Sequence, residues 1–305
     1  MGRIIRSADR LSFKIIVNKM NDIKQELDRK GYIVLEHILT QDEVAEAKEE
    51  FYKWQDKIPY HDYFHQYYES KGIYKYHEVG HQRFAWLIKT NPRVQNIFKY
   101  LWGCQDLIVS FDGACYIPQD CQDEDSHWTH TDQAPNRKGL HCYQGLVALT
   151  ENRERTLVVY EGSHKLHQEY FETNQIDSDS NWFVFDEEYI DKLKDLKRVL
   201  HVPAGALVIW DSRTYHQNQY GRPFSEERMV QYVCYLPSYH LENTEEVQDY
   251  RKECFRKRRT TTHWPAPVIP VPLQPYTYYN TEVIDYSKLE KPYLEDLREK
   301  INKLL

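Results

Sequence analysis

His130 and Asp132 stand two residues apart in the string HTD. In an extended segment positions i and i+2 share a face, so this imidazole and this carboxylate can converge on one ion. By itself the pattern is weak: 14 His and 21 Asp in 305 residues supply about one such pair by chance. A third group in a suitable place strengthens it. His216 comes just after the apolar run GALVIW and the short turn DSRTY, where a rolled-up sheet would return it beside HTD. Two neutral imidazoles and one carboxylate on one side of a metal leave positions open, the donor set used by non-haem Fe(II) oxygenases. Arg228 opens the next apolar run, RMVQYVCYL, 12 residues beyond His216. A guanidinium there can hold the far carboxylate of a dicarboxylic cosubstrate in a bidentate pair. Arg222 in YGRP is the rival for that role, but Gly221 and Pro223 mark its surroundings as a surface turn.

The elements that must position these groups are short β-type runs from about residue 105 onward: LIVSFDGACY, LHCYQGLVALT, TLVVY, VLHVPAGALVIW and RMVQYVCYL. Turn-forming or acidic stretches separate them, which predicts a sandwich or barrel in place of alternating βαβ units. Ahead of them, the spacing predicts a helix over Asn21–Lys30 stopped by Gly31, a strand in YIVLE, and a helix over Asp42–Trp54. Thr40 with Glu43 forms the capping box of the latter. Residues 58 to 90 are rich in Tyr and His without a clear period, and Pro92 then starts a helix that Gly103 ends. Further helices are expected at Asp186–Lys197, Glu245–Arg259 and about Tyr286–Leu305. The sequence reads as one domain over 1–305: a helical part to about 104, a β core at about 105–240, and a helical, Pro-rich extension at about 241–305.

Composition excludes several classes. Charged residues make up 29% and the mean hydropathy is -0.78. The longest charge-free run, Thr260–Thr281, contains five prolines, so it is no membrane span and reads as extended surface chain. A net charge of -7 disfavours general binding to nucleic acid or anionic membranes. The basic run Phe255–Arg259 is read as a solvated helix end, where cations are favoured by the dipole. The start lacks the apolar stretch of a signal peptide, and the six cysteines include no CxxC. Reduced thiols and an intracellular, cytoplasmic setting are therefore expected.

With these residues in view, the chain resembles the phytanoyl-CoA dioxygenase-like family of Fe(II)- and 2-oxoglutarate-dependent oxygenases, and looks closest to its fungal and large-virus type members. The strings that carry the likeness are GYIVLEHILTQDEVAEA, HTDQAPNRKGLHCYQGLVALT, LVVYEGSHKLHQEYF, GALVIWDSRTYHQN and RMVQYVCYLP, spread over roughly 31–54 and 105–264. The resemblance implies a mainly β fold with flanking helices, its core a double-stranded β-helix of the jelly-roll, cupin-like kind. It implies His130, Asp132 and His216 as iron ligands and Arg228 as the 2-oxoglutarate residue. It also implies O2-dependent decarboxylation to succinate and CO2 coupled to hydroxylation of a small organic substrate. Asp132 argues for hydroxylation over halogenation, since related halogenases lack that carboxylate. ENRERT stands where relatives usually carry a glycine-rich turn, which would reshape a pocket rim.

Other residues have two readings each. His164 of EGSHK could compete as a ligand, but reads as a structural turn residue. His127, Trp128 and Gln144 are candidates to line the pocket, with ordinary packing as the alternative. His263 and Trp264 of TTHWP are candidates to close over the active site. Two other functions stay open on the sequence: a cupin-like metal enzyme without 2-oxoglutarate, such as a zinc hydrolase, and a non-catalytic binding barrel.

Overall fold

The computed structural model describes residues 22–58, 70–275 and 283–305. Its strands are β1 (Tyr32–Leu35), β2 (Ile73–Tyr74), β3 (Leu107–Val109), β4 (Ala114–Ile117), β5 (His130–Thr131), β6 (Tyr143–Ala148), β7 (Leu157–Tyr160), β8 (Phe183–Val184), β9 (Lys197–Val199), β10 (Leu207–Asp211), β11 (His216–Asn218) and β12 (Arg228–Pro237). They form two antiparallel sheets. The larger runs β1-β10-β6-β12-β4-β2 with β3 joined to β12, and the smaller runs β8-β5-β11-β7-β9. Alternation along the strands sorts the apolar residues. Leu146, Ala148, Val208, Trp210 and Val230 of the larger sheet meet Leu157 and Val159 of the smaller one in the space between them. The opposite face of β6, β10 and β12 sends Val147, Leu207, Ile209, Val233 and Tyr235 toward the helices.

Those helices are α1 (22–30), α2 (Gln41–Gln55), α3 (Arg83–Lys89) and α4 (Pro92–Trp102). The Thr40 capping box is formed in both directions: the Glu43 amide donates to the Thr40 hydroxyl at 3.3 Å, and the Thr40 amide donates to the Glu43 carboxylate at 2.8 Å. Gly103 ends α4 at φ 64°, a backbone region open to glycine at no steric cost. Gly145 has another use. A Cβ there would lie 3.1 Å from both the Phe98 ring and the Val208 carbonyl, so the absence of a side chain lets α4 sit down on β6.

Several sequence expectations change. β1 forms where a strand was expected, while β2 was not expected, and both join the larger sheet from before residue 105. The helix expected at Asp186–Lys197 stops at Lys192, and Lys197 already starts β9, paired to β7. The helix over Glu245–Arg259 ends at Arg256, with Arg258 in the left-handed region at φ 49°. No long helix spans Tyr286–Leu305. Instead there are 3-10 turns at Tyr286–Lys288 and Glu295–Leu297 and a short helix at Arg298–Asn302, because Pro292 lacks the N–H a helix needs and biases its predecessor away from helical geometry. The Pro-rich run is not all surface chain either: Trp264 and Ala266 are buried. Proline has fewer amides to satisfy, so such a segment can be covered without joining a sheet. Asn21 and residues 59–69 of the 58–90 stretch lie outside the described residues.

Candidate active site

β5 and β11 are adjacent antiparallel strands, and their register sets His130 directly opposite His216. The two rings lie 4.3 Å apart, centroid to centroid. Asp132 is one step past β5, anchored by its amide donating to the Ser212 carbonyl at 3.1 Å. Its Oδ2 is 3.3 Å from His216 Nε2 and 3.7 Å from His130 Nε2. One ligand atom from each residue can be chosen so that all lie within 4.8 Å of one another, and all three residues are buried.

The far side of each ring is already committed. His130 Nδ1 lies 3.1 Å from the Trp128 carbonyl and His216 Nδ1 lies 2.9 Å from the Thr214 carbonyl. A carbonyl can only accept, so Nδ1 carries a proton and Nε2 is the nitrogen on the Asp132 side of each ring: protonated it donates to that carboxylate, deprotonated it offers a lone pair to a metal. Burial pushes His216 below the ordinary histidine range, with the neighbouring His130 charge adding to it, which favours the neutral, ligating form. Burial would raise the Asp132 carboxyl, yet the charges of His130 and His263 and hydrogen bonds from His130 and His216 hold it well below the usual carboxylate range. The donor set thus fits a divalent first-row metal.

Arg228 is the first residue of β12 and is fully buried, 0% exposed. None of Nε, Nη1 or Nη2 has a hydrogen-bond partner. Its side chain shares the inner face of β12 with Val230, Tyr232 and Cys234. Tyr232 in turn accepts a hydrogen bond at 3.1 Å from Asn218, which lies two residues beyond His216. Arg222 sits elsewhere: its side chain is 83% exposed and paired with Glu154.

The remaining candidates separate clearly. Gln144 Nε2 donates to Asp132 Oδ2 at 2.9 Å. Trp128 stacks on His130, centroids 4.7 Å apart at 21°, and its indole N–H donates to the Asn218 carbonyl at 3.1 Å. His127 contacts the Phe185 carbonyl at 2.7 Å. His164 is a turn residue, its Nε2 3.2 Å from the Asp28 carbonyl at the end of α1. His263 sits near enough to Asp132, His216 and His130 to feel their charges, and its Nε2 is buried without a partner. Trp264 packs on Cys142 and Cys234, the latter being the register partner of Gln144. One aromatic escaped the sequence reading. Trp182, 56% exposed, lies 6.2 Å from the His130 ring, and no motif surrounds it. ENRERT is organised by an acid where glycines were expected: Glu226 accepts the amides of Arg153, Glu154 and Arg155 at 2.6, 2.7 and 2.9 Å.

Residues 27–219, more than half of the chain and including all three members of the cluster, match the phytanoyl-CoA dioxygenase (PhyH) family. The chain belongs to that family. This phytanoyl-CoA dioxygenase family member is therefore a non-haem iron, 2-oxoglutarate-dependent oxygenase, an oxidoreductase, with Fe(II) and 2-oxoglutarate as its cofactor and cosubstrate. It is 30% identical over 209 residues to Ava biosynthesis cluster protein O of Aspergillus versicolor, covering 64% of this chain and 67% of that one. Two solved structures share the jelly-roll fold. The epimerase SnoN, in complex with Fe3+, alpha-ketoglutarate and nogalamycin RO, gives a TM-score of 0.50 at 17% identity over 73% of this chain and 85% of its own. The non-haem monooxygenase ThoJ, as a nickel complex, gives 0.51 at 14% identity over 93% and 100%. Among the described residues no helix of this family member is long and apolar enough to cross a membrane.

Proposed function

We propose that this oxygenase hydroxylates a C–H bond of a small organic molecule, with His130, Asp132 and His216 holding Fe(II) and Arg228 binding the C5 carboxylate of 2-oxoglutarate. The observation that carries the reading is the Arg228 guanidinium, fully buried with every nitrogen unpartnered, in the same barrel interior as the triad. A buried cation without an anion is costly, and a dicarboxylate reaching from the triad toward β12 would relieve that cost. Bound Fe(II) supplies the activation of O2 that turns 2-oxoglutarate into succinate and CO2. The protein's own part is to position and to exclude water. The Trp128 and Thr214 carbonyls fix the two imidazoles, Gln144 steadies Asp132, and Arg228 orients the cosubstrate.

The substrate class rests on the mouth of the site. Trp182 beside His130 offers an exposed aromatic wall, and the buried, unpartnered Nε2 of His263 and Oε1 of Gln144 offer hydrogen bonds. A substrate with a flat or apolar body and a polar group fits those features. A relative named for a biosynthesis cluster and a fold neighbour holding nogalamycin RO fit the same class. Retention of Asp132 favours hydroxylation over halogenation. We read the whole chain as one catalytic domain, with the C-terminal extension contributing His263 and Trp264 as the cap.

Anaerobic titration with Fe(II) and 2-oxoglutarate tests the reading. A weak visible charge-transfer band should appear in the wild type, and disappear in Asp132→Ala and His216→Ala proteins that remain folded. Retention of full iron stoichiometry by His216→Ala would overturn the ligand assignment, and absence of the band in the wild type would favour a metal enzyme without 2-oxoglutarate.

A further inference from the structure

Cys142, immediately before β6, and Cys234, on β12, are both fully buried. Their sulfurs lie 2.8 Å apart, inside ordinary contact between two thiols. Both belong to the end of the barrel that holds the triad. Cys234 is the register partner of Gln144, whose side chain binds Asp132. The Cys142 carbonyl accepts the Ser212 amide at 2.9 Å, and the Ser212 carbonyl accepts the Asp132 amide at 3.1 Å, so the backbone of Cys142 is one residue removed from that of Asp132 across the hydrogen bonds. Trp264, itself buried, packs with the pair. A disulfide needs an S–S separation of about 2.05 Å, so a modest approach of two side chains would suffice.

We propose that Cys142 and Cys234 are an internal two-electron reductant, oxidised to a disulfide when 2-oxoglutarate is consumed without organic substrate. The inference rests on the proposed 2-oxoglutarate chemistry at the neighbouring triad. The balance is complete. The C1–C2 bond of 2-oxoglutarate breaks, CO2 leaves with C1, and one atom of O2 enters the new succinate carboxylate. The other oxygen atom takes one hydrogen from each S–H bond and leaves as water, while the two sulfurs join. Two thiols are oxidised by two electrons in all, and these reduce the second oxygen atom.

Burial explains why this oxidant and no other is expected to reach them. Desolvation pushes the Cys234 thiol up, with Cys142 and the Asp112 and Asp132 charges adding to the effect. A protonated, covered thiol exchanges slowly with external disulfides or peroxide, which act on thiolates. Oxidising equivalents released at the triad need no thiolate, because a hydrogen atom carries electron and proton together. The resulting cross-link would tie β6 to β12, the strands that carry Gln144 and Arg228.

The test uses the full-length chain loaded with Fe(II) and 2-oxoglutarate under nitrogen and then exposed to limited O2 with no organic substrate. Succinate and intact protein mass are read from the same samples. The expected result is loss of two hydrogens, reversed by dithiothreitol, with a Cys142–Cys234 cross-linked peptide and early disulfide-to-succinate ratios approaching one. The cross-link should not form when Fe(II), 2-oxoglutarate or O2 is omitted. Cys234→Ser should inactivate after fewer turnovers, with ascorbate restoring the lost turnovers. Succinate accumulating while both thiols stay free would overturn the proposal, as would equal disulfide formation in metal-free protein in air. Absence of succinate would instead overturn the proposed 2-oxoglutarate reaction, and this inference with it. The wild-type mass measurement decides the matter even if the serine variant does not fold.

Discussion

Gln144 on β6 donates from Nε2 to Asp132 Oδ2 at 2.9 Å, the same oxygen that lies 3.3 Å from His216 Nε2. The strand opposite the triad therefore sets the carboxylate's orientation. Groups that orient metal ligands in this way typically account for about 10- to 100-fold in metal affinity. Gln144→Ala should weaken Fe(II) binding by about that factor, with the fold intact by circular dichroism. Competition against a metallochromic chelator measures it. An unchanged dissociation constant would show that Asp132 is held without Gln144.

Arg228 and Arg222 give opposite expectations from opposite surroundings. Removing one partner of a desolvated charge pair costs about 2 to 5 kcal/mol, so Arg228→Ala should raise the apparent KM for 2-oxoglutarate by roughly thirtyfold or more. Fe(II) affinity should hardly change. Arg222 is an exposed partner of Glu154, and solvent screening leaves such a pair worth little, so Arg222→Ala should leave that KM close to wild type. A larger defect in Arg222→Ala reverses the assignment.

The parts of the fold that were legible in the sequence share one property: local chemistry decided them. Thr40 with Glu43 marked the start of α2 and Pro92 with Gly103 bracketed α4, because capping and backbone freedom act within a few residues. The apolar runs behind β6, β7, β10 and β12 were legible for the same reason. β5, β8 and β11 are two or three residues long, too short for any periodicity, and exist only because neighbouring strands supply their hydrogen bonds. His130, Asp132 and His216 could be picked out as a candidate donor set from their residue types, and they do cluster, whereas their supports could not be read. The Trp128 and Thr214 carbonyls, the closeness of Trp182 to His130, and the contact of Cys142 with Cys234 are all products of strand register. Tyr286–Leu305 misled because its charged, helix-favouring residues outvoted Pro292 on average, while one missing amide is enough to break a helix locally.

The basic run at Arg256–Arg259 is mostly spoken for. Lys257 pairs with Glu253 at 2.6 Å, Arg258 pairs with Glu78, and Arg259 donates to the Val271 carbonyl at 2.9 Å. Few cations remain to replace condensed counterions on a phosphate backbone, and the net charge of -7 opposes approach. Fluorescence anisotropy with labelled duplex DNA and single-stranded RNA at physiological salt should detect no micromolar binding. Saturable binding at that level would contradict this reading.

Acid should destabilise the fold through two buried histidines beneath α2 and α3. Burial lowers His77 from 6.5 to about 4. Burial also lowers His81 to about 3, with the Lys89 and Arg258 charges adding to the effect and the Arg259 carbonyl opposing it. His81 packs on Phe111, ring centroids 4.7 Å apart, with its Nε2 2.9 Å from the Arg259 carbonyl. The unfolded chain takes up protons at these residues below about pH 6.5, while the folded protein refuses them until its lower values are reached. Below 6.5 the unfolded state thus binds more protons, so stability rises with pH. The contribution is fully present above 6.5 and is lost as pH falls toward 4 for His77 and 3 for His81. Each histidine should contribute a slope approaching about 1.4 kcal/mol per pH unit within its window. His81→Gln removes one titration while leaving an amide N–H to donate to the Arg259 carbonyl. Urea unfolding of both proteins from pH 7 to 4.5 isolates the effect, because other titrating groups are common to the pair. The variant should lose stability less steeply with acid than the wild type. Parallel pH profiles would show that His81 is not held neutral in the folded state.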